Sequence, residues 1–330
     1  VRFGIVGCGV IGALHARLIA SMEGTAELAA VADTDLDRAG RLAAEHGVDA
    51  HGDLPGLYAR DDVDAVVVCL PSGLHADAAV PALRAGKHVV IEKPIDITLE
   101  AADRIIAAER ESGRTVTVIS QRRFEPSYRR VKAAIDAGEL GRLTSGSAEV
   151  TLWRPQSYYD SGGWRGTWSM DGGGALMNQG VHVVDLMLAL LGPAEEVSAY
   201  AGLLAHEGIE VEDTAAAVVR FEGGGLGRLF ATTAAHGGNS VRVSVHGDGG
   251  HAIVENEVIA AFKVGEEDRV GPNPPGRLGA EAHRLQLEDF VAAVSEGRAP
   301  EVTSADGRAA LALVLAVYES ARSGGSVKPR

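Results

Sequence analysis

Lys93 stands between Glu92 and Pro94, directly after the apolar run Val89-Val90-Ile91. A proline on one side and a strand on the other give its backbone a stiff support. An ammonium group in such a place can donate a hydrogen bond to a substrate oxygen, or, with a depressed pKa, take the proton of a hydroxyl. Taken alone, a lysine so placed is more often a surface lysine at a strand end. A second polar set lies at Asn178, His182 and Asp185, spaced i, i+4 and i+7 on a helix expected over about 175–190, which places the three on one face. Val181, Val183, Val184, Leu186, Met187 and Leu188 make that helix apolar nearly all round. A polar stripe on a buried helix is either hydrogen-bonded internally, here as His182 with Asp185, or used in chemistry. Two ligand-type residues and an amide make a poor zinc set, so no metal is expected.

The N-terminal residues say what kind of chemistry. Val1–Val6 reads as a strand and runs into Gly7-Cys8-Gly9-Val10-Ile11-Gly12, a GxGxxG turn at the start of a helix. Its glycines suit a tight turn, close backbone approach to a pyrophosphate, and close helix–strand packing. A diphosphate would rest on the N–H groups from about Val10 and Ile11. Asp33 ends a second strand pattern 21 positions beyond Gly12. A carboxylate there suits both hydroxyls of an adenosine ribose and repels a 2′-phosphate, which favours NAD over NADP. Arg38 is near enough in sequence to reach adenine or a phosphate, so NADP stays open. Asp33 is alternatively a cap for the helix starting near Leu36, a role that Asp35 also suits. Cys69-Leu70-Pro71-Ser72 closes another strand at a carboxyl edge where open α/β sheets bind ligands. His75 follows and is read either as facing the nicotinamide side or as capping the turn. Beside a nicotinamide, Lys93 and an imidazole would meet the need of alcohol oxidation, removal of the hydroxyl proton as the carbon gives up hydride.

These groups require a scaffold, and the patterning supplies one. Strand patterns at 1–6, 28–32, 65–70, 88–91 and 115–120 alternate with helix patterns at 10–22, 35–46, 75–85 and 98–112. Several strands are rich in Val and Ile without alternation, as expected of a parallel sheet covered on both faces. A helix over 126–137 follows, then extended runs at 143–153, 195–206, 211–222, 225–236, 240–247 and 251–263, separated by glycine-rich turns. After Pro274-Pro275 the pattern is helical at 281–295 and 306–322. The expected fold is α/β: a Rossmann domain over 1–120 and a second α/β domain over 121–330 with a large, mostly antiparallel open sheet. The C-terminal helices are free to pack back toward the first domain. Such a sheet needs covering, and a partner subunit is the usual solution.

The chain has 330 residues, 31 Lys plus Arg against 45 Asp plus Glu, and a formal charge of −14. That balance argues against nucleic acid or an anionic membrane surface as partner. Cys8 and Cys69 show no CxxC spacing and read as small residues near the crevice. No leader-like segment precedes the first strand and no apolar stretch reaches 18 residues uninterrupted, so the expectation is a cytoplasmic protein.

The chain resembles the glucose-fructose oxidoreductase, inositol dehydrogenase and rhizopine-catabolism (MocA) oxidoreductases over essentially its whole length. The resemblance is carried by the Gly7-to-Gly12 turn with His15, Cys69-Leu70-Pro71-Ser72 with His75, Ala85-Gly86-Lys87-His88-Val89 leading into Glu92-Lys93-Pro94, Arg123-Phe124-Glu125-Pro126, the segment from Gly172 to Asp185, and the closing Tyr318-Glu319-Ser320-Ala321-Arg322-Ser323-Gly324. It implies NAD(P)-dependent hydride transfer on sugars, polyols or their derivatives, with substrate binding and oligomerisation in the domain over 121–330, in dimers or tetramers built on the open sheet. It implies that Lys93 is the catalytic lysine, His182 the active-site histidine and Asp185 a second acidic position. Asn178 departs from the inositol dehydrogenase branch, which has aspartate there, and an amide cannot serve as a base. Asn178 is then expected to hydrogen-bond a substrate hydroxyl. Arg122, Arg123, Tyr158 or Tyr159, Trp164, Arg165 and His283 are candidate sugar contacts, since an indole suits a sugar face and a guanidinium suits a carboxylate or phosphate. Two other readings stand beside the dehydrogenase: a keto-sugar or nucleotide-sugar reductase, and a non-catalytic NAD(H)-binding regulatory protein.

Overall fold

The computed structural model describes residues 1–272 and 279–330, so the Pro274-Pro275 break lies outside the described residues. The chain forms two compact units, one of Val1–Gln121 with Gly279–Arg308, the other of Arg122–Leu278 with Ala309–Arg330. Among the described residues no helix is long and apolar enough to cross a membrane.

The first unit is a six-stranded parallel sheet. Its strands are β1 (Arg2–Val6), β2 (Glu27–Ala32), β3 (Asp49–His51), β4 (Ala65–Val68), β5 (His88–Ile91) and β6 (Val116–Val118), in the order β3-β2-β1-β4-β5-β6. The order reverses between β1 and β4, which opens a crevice at the carboxyl ends of these strands. Helices α1 (Val10–Ala20), α2 (Leu36–His46), α3 (Leu54–Tyr58), α4 (His75–Arg84) and α5 (Leu99–Ser112) connect the strands. All four residues of β4 are buried, which is why the sequence there is Ala-Val-Val-Val with no polar alternation. Two short elements escape the sequence patterns. β3 is three residues long and largely exposed, so no apolar run marks it. α3 has only five residues, held at its start by the Asp53 carboxylate accepting from the Gly56 N–H.

Residues 279–308, although next in sequence to the second unit, complete the first. Phe290 packs 6.1 Å from Phe3, ring centre to ring centre, and Leu287 and Val291 join the same core. Gln286 serves the edge of β6: its Oε1 accepts the Ser120 N–H at 2.9 Å and its Nε2 donates to the Val118 carbonyl at 2.8 Å. A buried glutamine satisfied this way stops the sheet edge from pairing further.

The second unit is an eight-stranded sheet with helices on one side. Its elements are α6 (Pro126–Asp136), β7 (Leu143–Trp153), α7 (Gln156–Asp160), α8 (Val181–Leu191), β8 (Ala194–Gly202), β9 (Thr214–Phe221), β10 (Leu226–Thr232), β11 (Ala234–Gly247), β12 (Gly250–Glu255), β13 (Val258–Val264) and β14 (Glu267–Asp268). α9 (Glu281–Glu296) belongs to the first unit, and α10 (Ser304–Ser323) gives Ser304–Arg308 to the first and its remainder to the second. The strand order is β14-β13-β12-β11-β7-β10-β9-β8, antiparallel except where β10 lies parallel to β7. Helix α8 lies over β7 and β11, and α6 over β12 and β13. On β9 the side chains of Ala215, Ala217, Val219 and Phe221 are buried while Ala216, Val218 and Arg220 are exposed.

Three boundaries depart from the sequence reading. The run expected at 251–263 is a hairpin, turned at Asn256 and Glu257, both with positive φ (49° and 71°). No glycine signals the turn, because Asn256 tolerates this conformation and is held by exchange with the Val241 backbone. The runs expected at 195–206 and 211–222 stop at Gly202 and start at Thr214, because Asp213 gathers the N–H groups of Leu204, Ala205 and His206 into a loop. β11 begins at Ala234, so residues assigned to the run 225–236 divide between two strands.

Candidate active site

The glycine turn of the first unit has three different glycines. Gly7 has φ of +96°, and a Cβ there would meet the Cys69 carbonyl oxygen at 2.7 Å. A Cβ on Gly12 would lie 1.9 Å from the Gly7 carbonyl oxygen, so helix and strand could not approach as they do. Gly9 has nothing within 4 Å of its Cβ position. The glycine there keeps a surface open instead of relieving a contact within the fold. Helix α1 starts at Val10, 92% exposed, with no side-chain cap and no acidic residue in its first turn. An open concave backbone with uncapped N–H groups fits a dinucleotide diphosphate. Asp33 is fixed beside it. Its Oδ2 accepts the Cys8 N–H at 2.8 Å and faces Arg38 at 3.3 Å, and its Oδ1 accepts the Asp35 N–H at 2.9 Å. Helix α2 is capped by Asp35. The Asp33 carboxylate, with about four acceptor sites, is thus oriented by the turn and has capacity left for a ribose hydroxyl. Both cysteines are buried and free, and burial pushes the Cys8 thiol up to about 12 and the Cys69 thiol up as well, so neither is a nucleophile.

Next along the carboxyl edge, Leu70, Pro71 and Ser72 follow β4, and the buried His75 ties that loop to the one after β5. Its Nε2 lies 2.9 Å from the Leu70 carbonyl oxygen and its Nδ1 2.8 Å from that of Pro94. The ring thus spans the backbone of the loop after β4 and that of Pro94, next to Lys93. The Lys93–Pro94 peptide is cis. Glu92 is buried, accepts the Lys93 N–H at 3.2 Å, and pairs with His15 of α1 at 2.7 Å. Burial alone would raise its pKa, but the His15 hydrogen bond and the neighbouring His15, His283 and Lys93 outweigh it and hold the carboxyl at about 2. The His283 ring packs edge-on against His15 at 5.8 Å. Lys93 itself is half-buried.

In the second unit the polar helix does not begin as an α-helix. Leu176–Gly180 is a π-turn, and α8 follows from Val181. Asn178 and His182 thus lie across a change of helical pitch, and the i, i+4 spacing no longer stacks them as in a uniform α-helix. Such π-turns are frequent at functional sites. The entry is fastened from several sides. Glu212 accepts the N–H groups of Gly174 and Leu176, both at 2.8 Å, and the Tyr318 hydroxyl at 3.0 Å. A Cβ on Gly174 would lie 1.6 Å from the Glu212 carbonyl oxygen. Asn178 donates to Asp171 at 2.9 Å, and Asp171 accepts the Gly166 N–H at 3.0 Å. His182 is half-buried on α8. Asp185 receives both the Nε and an Nη of Arg123, at 2.8 and 2.7 Å. Farther along the loop after β7, Tyr158, Trp164 and Arg165 form one aromatic and cationic cluster, with the Arg165 guanidinium 4.8 Å from the Tyr158 ring and 5.0 Å from the Trp164 ring. Gln179 joins the cluster to the π-turn by donating to the Tyr158 hydroxyl at 3.2 Å.

Comparison with known proteins sets this geometry in a family. Residues 1–120 match the oxidoreductase family with an NAD-binding Rossmann fold, and residues 128–253 match the GFO/IDH/MocA C-terminal domain. The chain belongs to the GFO/IDH/MocA oxidoreductases. It is 32% identical to inositol 2-dehydrogenase 2 of Saccharopolyspora erythraea, over 98% of this chain and 94% of that one. It is 30% identical to 1,5-anhydro-D-fructose reductase of Ensifer adhaerens, over 98% and 97%. Among solved structures it is similar to the WlbA dehydrogenase from Bordetella pertussis in complex with NADH and UDP-GlcNAcA, with 34% identity, a TM-score of 0.89, and 99% and 98% of the two chains covered.

As a member of the GFO/IDH/MocA family the protein is an oxidoreductase with an NAD-binding Rossmann domain. Several sequence expectations nevertheless change at the level of residues. Asp185 is paired at both carboxylate oxygens with Arg123, which braces α8 against the turn that follows the first unit's last strand. Arg122 pairs with Glu125 at 3.1 Å, and both line a small cavity with Tyr128, Leu186 and Glu257, apart from the Tyr158 cluster. Burial, with Glu257 adding to it against the pull of Arg122, raises the Glu125 carboxyl to about 7. His283 sits beside His15, inside the first unit. Tyr159 is buried, its hydroxyl 2.8 Å from that of Thr233. His15, Asp171, Glu212 and Tyr318 support the site without having been singled out for it. For Glu212 the signal was indirect: the run Gly172-Gly173-Gly174 marks backbone that something else must approach closely.

Proposed function

We propose that the protein interconverts a CH–OH and a C=O group on a sugar, cyclitol or sugar derivative, with NAD in preference to NADP. The observation that carries this reading is the placement of Lys93: a half-buried ammonium group two residues beyond β5, at the carboxyl edge that also bears the open Gly9 turn, on backbone anchored by Glu92 and His75. A bound nicotinamide would supply hydride-transfer chemistry to this site, as acceptor from a carbinol carbon or as donor to a carbonyl. Lys93 takes the hydroxyl proton as the alcohol is oxidised and gives it back in reduction. His182 orients the same oxygen or relays its proton. Asn178, its amide turned by Asp171, hydrogen-bonds a neighbouring hydroxyl. Asp185 and Arg123 keep α8 in register. Asp33 favours NAD because its carboxylate would lie against a 2′-phosphate, while Arg38, drawn toward Asp33 and Asp35, gives such a phosphate little separate help. The named relatives act in both directions, as dehydrogenases and as a reductase, and the same groups serve either.

We also assign a cytoplasmic setting, where the NAD pool lies, and a homodimer or homotetramer joined through the open face of the eight-stranded sheet. The test of the reaction is Lys93→Met. Turnover, followed by NADH absorbance over a panel of inositols, aldoses, anhydro sugars, sugar acids and nucleotide sugars, should fall by about a thousandfold. NAD affinity by titration should stay within about twofold of wild type. An unchanged rate would remove Lys93 from the mechanism. Silence of the wild type across the panel, in both directions and with NAD bound, would favour the regulatory reading.

A further inference from the structure

Arginines in this chain are generally matched to carboxylates: Arg2 to Asp64, Arg60 to Asp49 and Asp62, Arg123 to Asp185, Arg298 to Asp289, Arg308 to Asp103. Acidic residues outnumber basic ones by 45 to 31, so partners are plentiful. Arg154 and Arg165 are among those that are not so matched. Among the described residues neither guanidinium has a carboxylate within ion-pair distance, and the Nε of each is buried without a hydrogen-bond partner. They are nonetheless held together. The Arg154 guanidinium lies 5.0 Å from the centre of the Tyr158 ring and that of Arg165 lies 4.8 Å from it, with Trp164 against Arg165 on another side. Arg165 spends one Nη on the Ser161 hydroxyl at 2.9 Å. Gln179, which braces Tyr158, has its Oε1 buried and unpartnered.

Stacking on an aromatic ring fixes a guanidinium plane without using its N–H donors. Two such groups, both held against the Tyr158 ring and unneutralised, repel each other and leave buried donors unsatisfied unless something supplies acceptors. The group that answers both costs is an anion, which accepts paired N–H bonds from arginine. The cluster is joined through Gln179 to the π-turn that carries Asn178, four residues before His182.

We propose that Arg154 and Arg165, framed by Tyr158, Trp164 and Gln179, bind an anionic group on the substrate, so that the substrate is a sugar bearing a carboxylate or phosphate and not a neutral cyclitol. This rests on the hydride-transfer reading above. The experiment is calorimetric titration of the NADH-loaded protein with glucuronate, a UDP-linked sugar and myo-inositol, for wild type, Arg154→Gln and Arg165→Gln. At least one anionic ligand binds tenfold or more tightly than myo-inositol, and each variant weakens it by about tenfold. Glucuronate alone would name the carboxylate, the UDP-sugar alone the phosphate. Equal or tighter binding of myo-inositol, or variants that bind the anion as wild type does, overturns the proposal. If a variant fails to fold by thermal melt, the salt dependence of wild-type binding decides: affinity falls with ionic strength if the site is anionic and is flat if it is not. An anion that binds through these arginines without NADH being formed or consumed leaves the site standing and the reaction reading overturned.

Discussion

At the scale of single residues, the glycine turn separates two roles that a motif merges. Gly12 is required by the fold itself, since a methyl there would overlap the Gly7 carbonyl; the fold places nothing within 4 Å of a Cβ on Gly9, so the proposed diphosphate is what would need glycine there. Gly12→Ala should therefore lower the melting temperature by about 10 °C or abolish folding, as overpacking against backbone does. Gly9→Ala should melt within about 2 °C of wild type yet bind NAD at least about tenfold more weakly. Calorimetric melting and NAD titration of the two variants check this, and a Gly9 variant with intact NAD affinity would place the diphosphate elsewhere. The packing role of Gly12 was legible from the sequence because turn chemistry is local. The fates of Asp185 and Arg123 were not, because Arg123 lies 62 positions away and nothing in the helix pattern names it.

At the scale of elements, the long periodic pieces were legible and the short or composite ones were not. β4 and α5 have patterns set by burial along their whole length, whereas β3, α3 and α7 depend on caps and neighbours, and the π-turn before α8 on Glu212 and Tyr318, far along the chain. The carboxylates that fasten these elements titrate in opposite senses. Glu92 is held at about 2 in the folded protein against 4.5 for the free group, so its contribution is complete above about pH 4.5 and is lost as pH falls toward 2. Glu212, raised by burial from 4.5 to about 7 despite its hydrogen bonds, stabilises the fold below about pH 4.5 and withdraws that contribution as pH rises through 7. Each is worth on the order of 3 kcal/mol across its window. Melting temperature against pH should therefore show a flatter acid limb for Glu92→Gln and a flatter fall between about pH 5 and 8 for Glu212→Gln. Parallel curves for wild type and variant would deny the assigned linkage.

At the scale of the whole molecule, the exposed side chains of the large sheet bear on assembly. Tyr200 of β8, Val218 of β9 and Leu226 of β10 are 85, 57 and 53% exposed on neighbouring strands. Val218→Asp, placing a charge on that surface, should reduce the mass found by light scattering to that of a single chain of 34.2 kDa while preserving the melting curve of the monomer fold. An unchanged oligomer would move the interface off the sheet. The same sheet has a second consequence, through the parallel pairing of β7 with β10. Partners such as Ser145 and Leu226 are roughly eighty residues apart, and the chain between them includes α7, the π-turn and α8. The central ladder cannot zip until that long loop has closed, and closure is rewarded only as α8 packs down on β7 and β11. The helix bearing His182 is thus not hung on a finished scaffold; its docking belongs to the slow, long-range step by which the sheet comes into being, so the buried side of that helix is constrained by folding speed as well as by chemistry.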